Sequence, residues 1–477
     1  NRDRDRPMTT ISYPRRDASP ESVFTQRTFD LAHAHLMSWR QAAGAFGDLH
    51  LHACWGESSV LSRRYHGQSV YQSGGRLQGF MRLYDRTGQP RWRVMADDVV
   101  SNILYLQTPA GGFYHASSEY EPTYRDDETC PIHQGLPVLA LLRYAAWQHA
   151  DPLRVGVIRE AVDRHWRWFE RSWWKKGNGW RAPLELPGFC GVTNQDMVVV
   201  AALAQHAIAF GDDALYERLG RPTLEAFLSP AYYHEKVGLF ERGDRPGFAE
   251  RTTYYDVVVP MLKVIHAARP HERIPGVIDN VTRQVFAAAY VADDGLTHLS
   301  YGTDPLPPDK SRIPGYVREP RPIGSYLGFL HLMHEYLHRH PDAKLQAIHD
   351  GLERTVAAYT FADGTLPFAL GGDPLFSVAS RSEGLWLNLM DRLGDRLKPP
   401  AAVAVPVVSR SCGNVAFESA EKVWRIKRAG VQLFAGLKQN PGGIAVGPDD
   451  TVAGADPRVL DAPEFSEVLA ASVATAH

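Results

Sequence analysis

Residues 197–210 read MVVVAALAQHAIAF, apolar on nearly every side of a helical wheel. A helix of that kind is buried all round rather than floating one face in water. Residues 136–146, LPVLALLRYAA, have the same character. The stretch 153–172 differs. Ile158, Ala161, Val162, His165, Trp166 and Phe169 fall on one face, and Arg159, Glu160, Asp163, Arg164 and Arg167 on the other, which is a helix with one side in solvent. The two kinds alternate along the chain. The pattern predicts buried helices near 74–86, 133–149, 194–211, 253–268, 322–339 and 378–393. It predicts half-exposed ones near 27–45, 92–107, 154–172, 213–228, 275–291 and 343–360. Such alternation is what an inner ring of helices wrapped by an outer ring requires.

Gly-centred turns punctuate this series: Gly111-Gly112-Phe113, Gly177-Asn178-Gly179-Trp180, Gly238-Leu239-Phe240, Asp293-Asp294-Gly295-Leu296 and Asp363-Gly364-Thr365-Leu366. Each repeat is one helical hairpin that cannot bury its apolar face alone, so neighbours must pack side by side. After Leu393 the character changes. Lys398-Pro399-Pro400 breaks the helical pattern, and β-rich runs follow at 403–409, 414–418, 423–428 and 431–435, with Ala429-Gly430 as a tight hairpin signal. Residues 462–476 read as a final helix. The expected organisation is an N-terminal arm over 1–25, a helical ring over 26–397 and a β-rich segment over 398–477. The expected class is mainly α, an (α/α)6 toroid with a small C-terminal antiparallel β-sheet.

Composition bounds the function. The 477 residues are 44% hydrophobic and 22% charged, with a formal net charge of −2, an ordinary globular balance. That charge gives no footprint for nucleic acid or for an anionic membrane. Cys54, Cys130, Cys190 and Cys412 are widely spread without CxxC or metal-ligand spacing, so free thiols are expected. The chain opens Asn-Arg-Asp-Arg-Asp-Arg, without an apolar stretch for a signal peptide. A cytoplasmic location is the expectation, or a secreted or periplasmic one if a leader has been removed. HExxH, phosphate-loop and G-x-S-x-G patterns are absent from the sequence, and the reading calls for neither a metal nor a cofactor.

The stretch Gly79-Phe80-Met81-Arg82-Leu83-Tyr84-Asp85-Arg86-Thr87-Gly88, then a helix, then Leu106-Gln107-Thr108-Pro109-Ala110-Gly111-Gly112-Phe113, resembles a first hairpin of the six-hairpin toroid superfamily. That group holds glycoside hydrolases, polysaccharide lyases and sugar 2-epimerases. The resemblance is architectural and spans about residues 27–393. It implies a saccharide substrate bound where the segments leading into the inner helices converge.

Those lead-in segments are polar. The first carries His66 and Tyr71. The second is densest, with His115, Glu119, Tyr124, Asp126, Asp127, Glu128 and His133. The third brings Asn194, Gln195 and Asp196, and the fourth Arg251, Tyr254, Tyr255 and Asp256. Arg318 comes from the fifth, and Arg381, Glu383 and Trp386 from the sixth. Helix capping accounts for any one of these residues, but not for the joint occurrence of acids, arginines, histidines and phenols at one end.

Glycosidic hydrolysis needs a protonated acid at the leaving oxygen and a second carboxylate. Asp127, flanked by Asp126 and Glu128, is the expected acid, with Asp196 or Asp256 as its partner. Arginines 251, 318 and 381 suit an acidic, uronate-containing sugar, and Tyr and Trp faces such as Trp386 suit a sugar platform. Elimination from a uronate would instead use Tyr255, Tyr254, His66 or His133 as base, with Asn194 and Arg251 steadying the enolate. Epimerisation would use facing histidines, with His133, His206, His266 and His334 as candidates. A carbohydrate-binding protein without catalysis would not need the acids at 126–128.

Overall fold

The computed structural model describes residues 15–38, 48–54, 58–64, 73–113, 130–175, 184–243, 247–300, 302–306, 315–317, 321–366, 369–370, 376–377 and 379–406, and short strands between 409 and 453. A single helical turn, α1 (Pro20–Val23), precedes α2 (Gln26–Ser38). Then come α3 (Ser73–Thr87), α4 (Pro90–Tyr105), α5 (Pro131–Ala145), α6 (Pro152–Trp173) and α7 (Thr193–Phe210). A π-helical turn, Tyr216–Gly220, runs into α8 (Arg221–Leu228). It is followed by α9 (Tyr255–Ala268), α10 (Ile274–Ala287), α11 (Ile323–Arg339), α12 (Ala343–Tyr359) and α13 (Ala379–Leu393).

Helices α3, α5, α7, α9, α11 and α13 pack one on the next, and α13 returns to α3 to close an inner ring. Helices α4, α6, α8, α10 and α12 lie outside it, and α2 completes the outer layer against α13. The burial follows the sequence pattern. From Met197 to Ala204, α7 is wholly buried, whereas α6 buries only one face, through Ile158, Val162, His165, Trp166 and Phe169. Local signals place the ends. Pro occupies the first turn of α4, α5 and α6, where the missing N–H costs nothing. The Asp151 carboxylate caps α6, and Asp342 caps α12. One outer segment departs from a plain α-helix: 213–228 contains the π turn. Pro222 has no N–H for the backbone ladder, and Gly220 is packed against the Tyr216 ring, so the helix opens there.

The connections are asymmetric. Those from inner to outer helices are short: 88–89, 146–151, 211–215, 269–273 and 340–342. Those from outer to inner helices are long: 39–72, 106–130, 174–192, 229–254, 288–322 and 360–378. Most of the small β-structure lies in the long set. Strands β1 (Asp48–Cys54) and β2 (Ser58–Arg64) form an antiparallel hairpin. Strands β3 (Tyr233–His234) with β4 (Leu239–Phe240), β5 (Ala289–Val291) with β6 (Thr297–Leu299), and β7 (Gly302–Thr303) with β8 (Tyr316–Val317) are antiparallel pairs too. Strand β9 (Arg321–Pro322) pairs with β10 (Ala369–Leu370), and β11 (Phe376–Ser377) with β1. The long connections thus brace one another around one end of the ring.

The recurrent glycines sit in these connections. Gly111, Gly238, Gly295 and Gly364 all have positive φ, which L side chains resist. Space adds a second demand at two of them. A Cβ on Gly111 would lie 2.6 Å from the Arg164 carbonyl on α6, and one on Gly364 2.7 Å from the Ala32 amide on α2. The turn at 177–180 lies outside the described residues.

The chain after α13 differs in detail from the expected strands. Residues 403–406 are irregular, because the segment is tied along α2. Gln26 exchanges hydrogen bonds with the Lys398 backbone, and the Ala401 amide donates to Asp30. Strands β12 (Ser409–Cys412), β13 (Val415–Glu418) and β14 (Val423–Ile426) form one antiparallel sheet. Strands β15 (Gln432–Leu433), β16 (Ile444–Val446) and β17 (Val452–Ala453) form another. Among the described residues β14 and β15 belong to different sheets, and Ala429-Gly430 lies outside the described residues. Residues 462–476 lie outside the described residues. Among the described residues no helix is long and apolar enough to cross a membrane.

Candidate active site at the mouth of the ring

The inner helices begin side by side at the end that carries the long connections. Gly384 of α13 faces Leu327 of α11, Gly328 of α11 faces Asp256 of α9, and Gly75 of α3 lies against Glu383 of α13. The Asn194 amide on α7 donates to the Glu250 carboxylate just before α9, at 3.3 Å, and Gly135 of α5 packs on Val198 of α7. The first turns therefore form the rim of one mouth.

A shared device fixes these turns. The fourth residue of α5, Gln134, bonds both the amide and the carbonyl of Phe113, at 2.8 and 2.9 Å. The fourth residue of α7, Asp196, accepts the amides of Phe189, Cys190 and Gly191 at 3.2, 3.1 and 3.0 Å. The Tyr255 hydroxyl accepts the Phe240 amide at 3.1 Å, and Tyr326, fourth in α11, accepts the Leu299 amide at 3.0 Å. Each side chain reaches outward to the connection that precedes its own helix.

This placement changes the roles open to two expected site residues. Asp196 is fully buried, and its carboxylate is occupied by backbone amides and the Cys190 thiol. Burial raises its pKa to about 6, while the amide bonds pull the other way. Tyr255 is buried too, and burial pushes its phenol well above the ordinary range. Both hold the connections in place. The Trp386 ring, expected as a sugar platform, is wholly buried instead. It lies over Gly79 of α3 and packs on Phe29 and Phe80, at ring separations of 6.3 and 5.5 Å. It is a core residue, because the glycine on the neighbouring helix leaves the space an indole needs.

Other expected residues do gather at the mouth. His133 is half-buried in the first turn of α5, with Nδ1 3.1 Å from Cys130 Sγ. Gln195 and Asp256 are half-buried on the first turns of α7 and α9, and Arg251 and Tyr254 are half-buried in the short 3-10 turn that leads into α9. Asn194 is buried, and so is Glu383, which pairs with Arg76 of α3 at 2.8 Å. Residues His66, Tyr71, His115, Glu119, Tyr124, Asp126, Asp127, Glu128 and Arg318, and the side chain of Arg381, lie outside the described residues. Of the histidines weighed for epimerisation, His206, His266 and His334 sit in the C-terminal halves of α7, α9 and α11, toward the short connections and away from the mouth.

Several groups here escaped the sequence reading. Arg242 pairs with the buried Glu250 carboxylate at 3.1 Å, and His234 Nε2 meets Glu241 at 2.8 Å. Arg76 and Gln134 are also new. A usable signal existed: each of α3, α5 and α7 carries a polar residue, Arg76, Gln134 and Asp196, at its fourth position. One buried carboxylate at the mouth thus carries a cation and another a run of amides, as burial of charge demands.

Away from the mouth, a cavity of about 590 Å³ opens between α9, α10 and α11 toward the short connections, lined by His266, His334 and His338 among others. Its cations are already paired, Lys263 with Glu335 and Arg339 with Asp279. On α12, His349, Asp350 and Glu353 bring ligand atoms within 4.8 Å of one another, but Glu353 is engaged by Arg392.

No protein-family model matches the chain, and no curated protein matches it in sequence. Solved structures do match in shape. A D-mannose isomerase superposes with a TM-score of 0.54 at 11% identity, over 78% of this chain and 99% of that one. The cellobiose 2-epimerase of Bacillus thermoamylovorans B4167 gives 0.52 at 12%, over 75% and 95%. An unsaturated glucuronyl hydrolase specific for heparin gives 0.50 at 9%, over 78% and 97%. Together with the closed double ring, these likenesses establish the chain as an (α/α)6 toroid.

Proposed function

We propose that this protein is a carbohydrate-active enzyme that hydrolyses a glycosidic bond in an acidic oligosaccharide held at the mouth. The observation that carries the reading is the convergence of Asp256, Asn194 and His133 on the first turns of inner helices, with Arg251 and Tyr254 just ahead of α9, at one end of the ring. The superposed isomerase, epimerase and hydrolase all act on saccharides by name, which supports the substrate class. Asp256 is assigned as the second carboxylate, since Asp196 is committed to its connection. Asp127 is assigned as the general acid. Arg251 would meet the uronate.

The test is a panel of neutral and uronate-containing oligosaccharides with products read by mass, for wild type, Asp127→Asn and Asp256→Asn. Hydrolysis adds the mass of water, and each variant should lose at least about a hundredfold in turnover while folding normally. Products bearing an ultraviolet-absorbing unsaturated uronate would replace hydrolysis by elimination, a reading already weakened because the Tyr255 hydroxyl is engaged. A second reading, sugar epimerisation or isomerisation, is favoured by His133 at the mouth. Products of unchanged mass, lost in His133→Asn, would establish it instead.

A further inference from the structure

Two residues apart in the first turn of α7, Asn194 and Asp196 point about 200° from each other. Asp196 reaches outward to residues 189–191. Gly135 of α5 meets α7 on the side of Val198 and Val199, and Thr193 turns to the Glu241 carbonyl ahead of α9. With outward and both lateral directions taken, Asn194 faces the ring axis, on the same stripe as Ala201, Gln205 and Ile208. Only 5% of Asn194 is exposed, and its Oδ1 has no hydrogen-bond partner among the described residues. The helix terminus itself does not offer a vacant anion site, because the Asn194 amide is taken by Glu250. A buried amide oxygen left without a hydrogen bond is costly, on the order of 1–3 kcal/mol, and such a group facing an open ring axis calls for a partner from outside the chain, a ligand or a water.

We propose that the Asn194 carboxamide is a substrate-recognition contact, in which Oδ1 accepts a hydrogen bond from a hydroxyl of a saccharide lying on the ring axis. The inference rests on the reading of the mouth as a saccharide site and adds the ligand chemistry: a neutral donor, not an anion, at this point of the rim. The neighbouring Glu250 carboxylate, held by Arg242 and the Arg251 amide, keeps the corner rich in acceptors.

The experiment follows thermal stability of wild type, Asn194→Leu and Asn194→Ala with and without D-mannose, cellobiose and D-glucuronate. Without sugar, the leucine variant should melt at or above the wild-type temperature, because an unsatisfied polar group has been replaced by an apolar one. With sugar, the wild type should gain stability from at least one probe. Both variants should bind that probe at least about tenfold more weakly, the worth of one hydrogen bond with its desolvation. A drop of several degrees in both sugar-free variants would mean that Asn194 is satisfied structurally, by a resident water for example, and overturns the proposal. An equal sugar response in wild type and variants removes Asn194 while leaving the saccharide site standing. Absence of any response in the wild type removes both.

Discussion

The Tyr255 hydroxyl accepts the amide proton of Phe240 at 3.1 Å, so a phenol at the rim of the mouth is committed to the connection behind it. Tyr326 repeats the bond to Leu299 on α11. The same residue position that looks catalytic in sequence thus serves to anchor the lead-in segments. Rigid anchoring of this kind is what a site built on loops needs in order to hold its geometry.

Removing that hydroxyl should therefore harm folding more than chemistry. Tyr255→Phe leaves a buried amide unpaired, at a cost of about 1–3 kcal/mol. Urea melts should show the loss, and turnover on whichever saccharide the panel identifies should stay within a few-fold. Abolished turnover at unchanged stability would restore Tyr255 as a reacting group.

A second prediction concerns ring closure. Gly79 of α3 lies under the six-membered ring of Trp386 on α13, closer than a methyl group permits. Gly79→Ala forces the indole aside in a packed core, which typically costs about 1–3 kcal/mol. Trp386→Phe makes a cavity and costs a comparable amount on its own. The two changes should compensate, so the double variant should be more stable than the sum of the singles predicts by at least about 1 kcal/mol. Strict additivity in chemical denaturation would show that the two residues do not share this space.

Much of this architecture was legible in the chain. The all-round apolar runs at 197–210 and 136–146 fall in α7 and α5, and the half-polar run at 153–172 falls in α6, because burial on all sides or on one side leaves its mark in the hydrophobic period. What the period does not carry is the absolute direction of a face. Asn194 and Asp196 read alike as polar first-turn residues, and only closure of the ring makes one axial and the other outward. Trp386 reads as a flat sugar surface because the glycine that receives it lies some three hundred residues away in sequence. The π turn at Tyr216–Gly220 depends on a local detail, Pro222, that periodicity overlooks.

A third prediction follows from three titratable groups of opposing sign, His33 half-buried and His165 and Asp196 fully buried. Burial lowers His33 to about 4, with the Arg91 charge adding to it, and lowers His165 to about 3 against its bond to the Gly111 carbonyl. The unfolded chain takes up protons at these residues near pH 6.5 while the folded protein does not, so stability is lost as pH falls from 6.5 toward 4. Asp196 acts the other way. Its folded value of about 6 lies above the ordinary 3.8, so the folded protein gains a proton first, and stability rises as pH falls from about 6 toward 3.8. Two histidines outweigh one aspartate near pH 5, leaving a net slope on the order of 1.4 kcal/mol per pH unit in favour of higher pH. Asp196→Asn removes the opposing contribution. Its stability should therefore fall more steeply between pH 6 and pH 4 than that of the wild type, whatever its absolute level. A slope unchanged from that of the wild type, or shallower, would mean that Asp196 is ionised throughout that range.

The last prediction tests the buried ion pair that joins the two ends of the ring. Arg76 of α3 and Glu383 of α13 meet at 2.8 Å, and neither is more than 7% exposed. Burying both charges costs desolvation that their attraction only roughly offsets, so the pair adds little net stability. Breaking it is another matter. Arg76→Met takes from the Glu383 carboxylate the cation that lies 2.8 Å away, and should destabilise by about 3–5 kcal/mol at neutral pH. Part of that loss should return under mildly acidic conditions, when protonation of the buried carboxyl removes its charge. Adding Glu383→Leu should recover most of the stability at neutral pH, since neither charge then remains. Should the double variant melt as low as Arg76→Met alone, the pair would be holding the closure of α13 on α3 by its geometry rather than by charge balance.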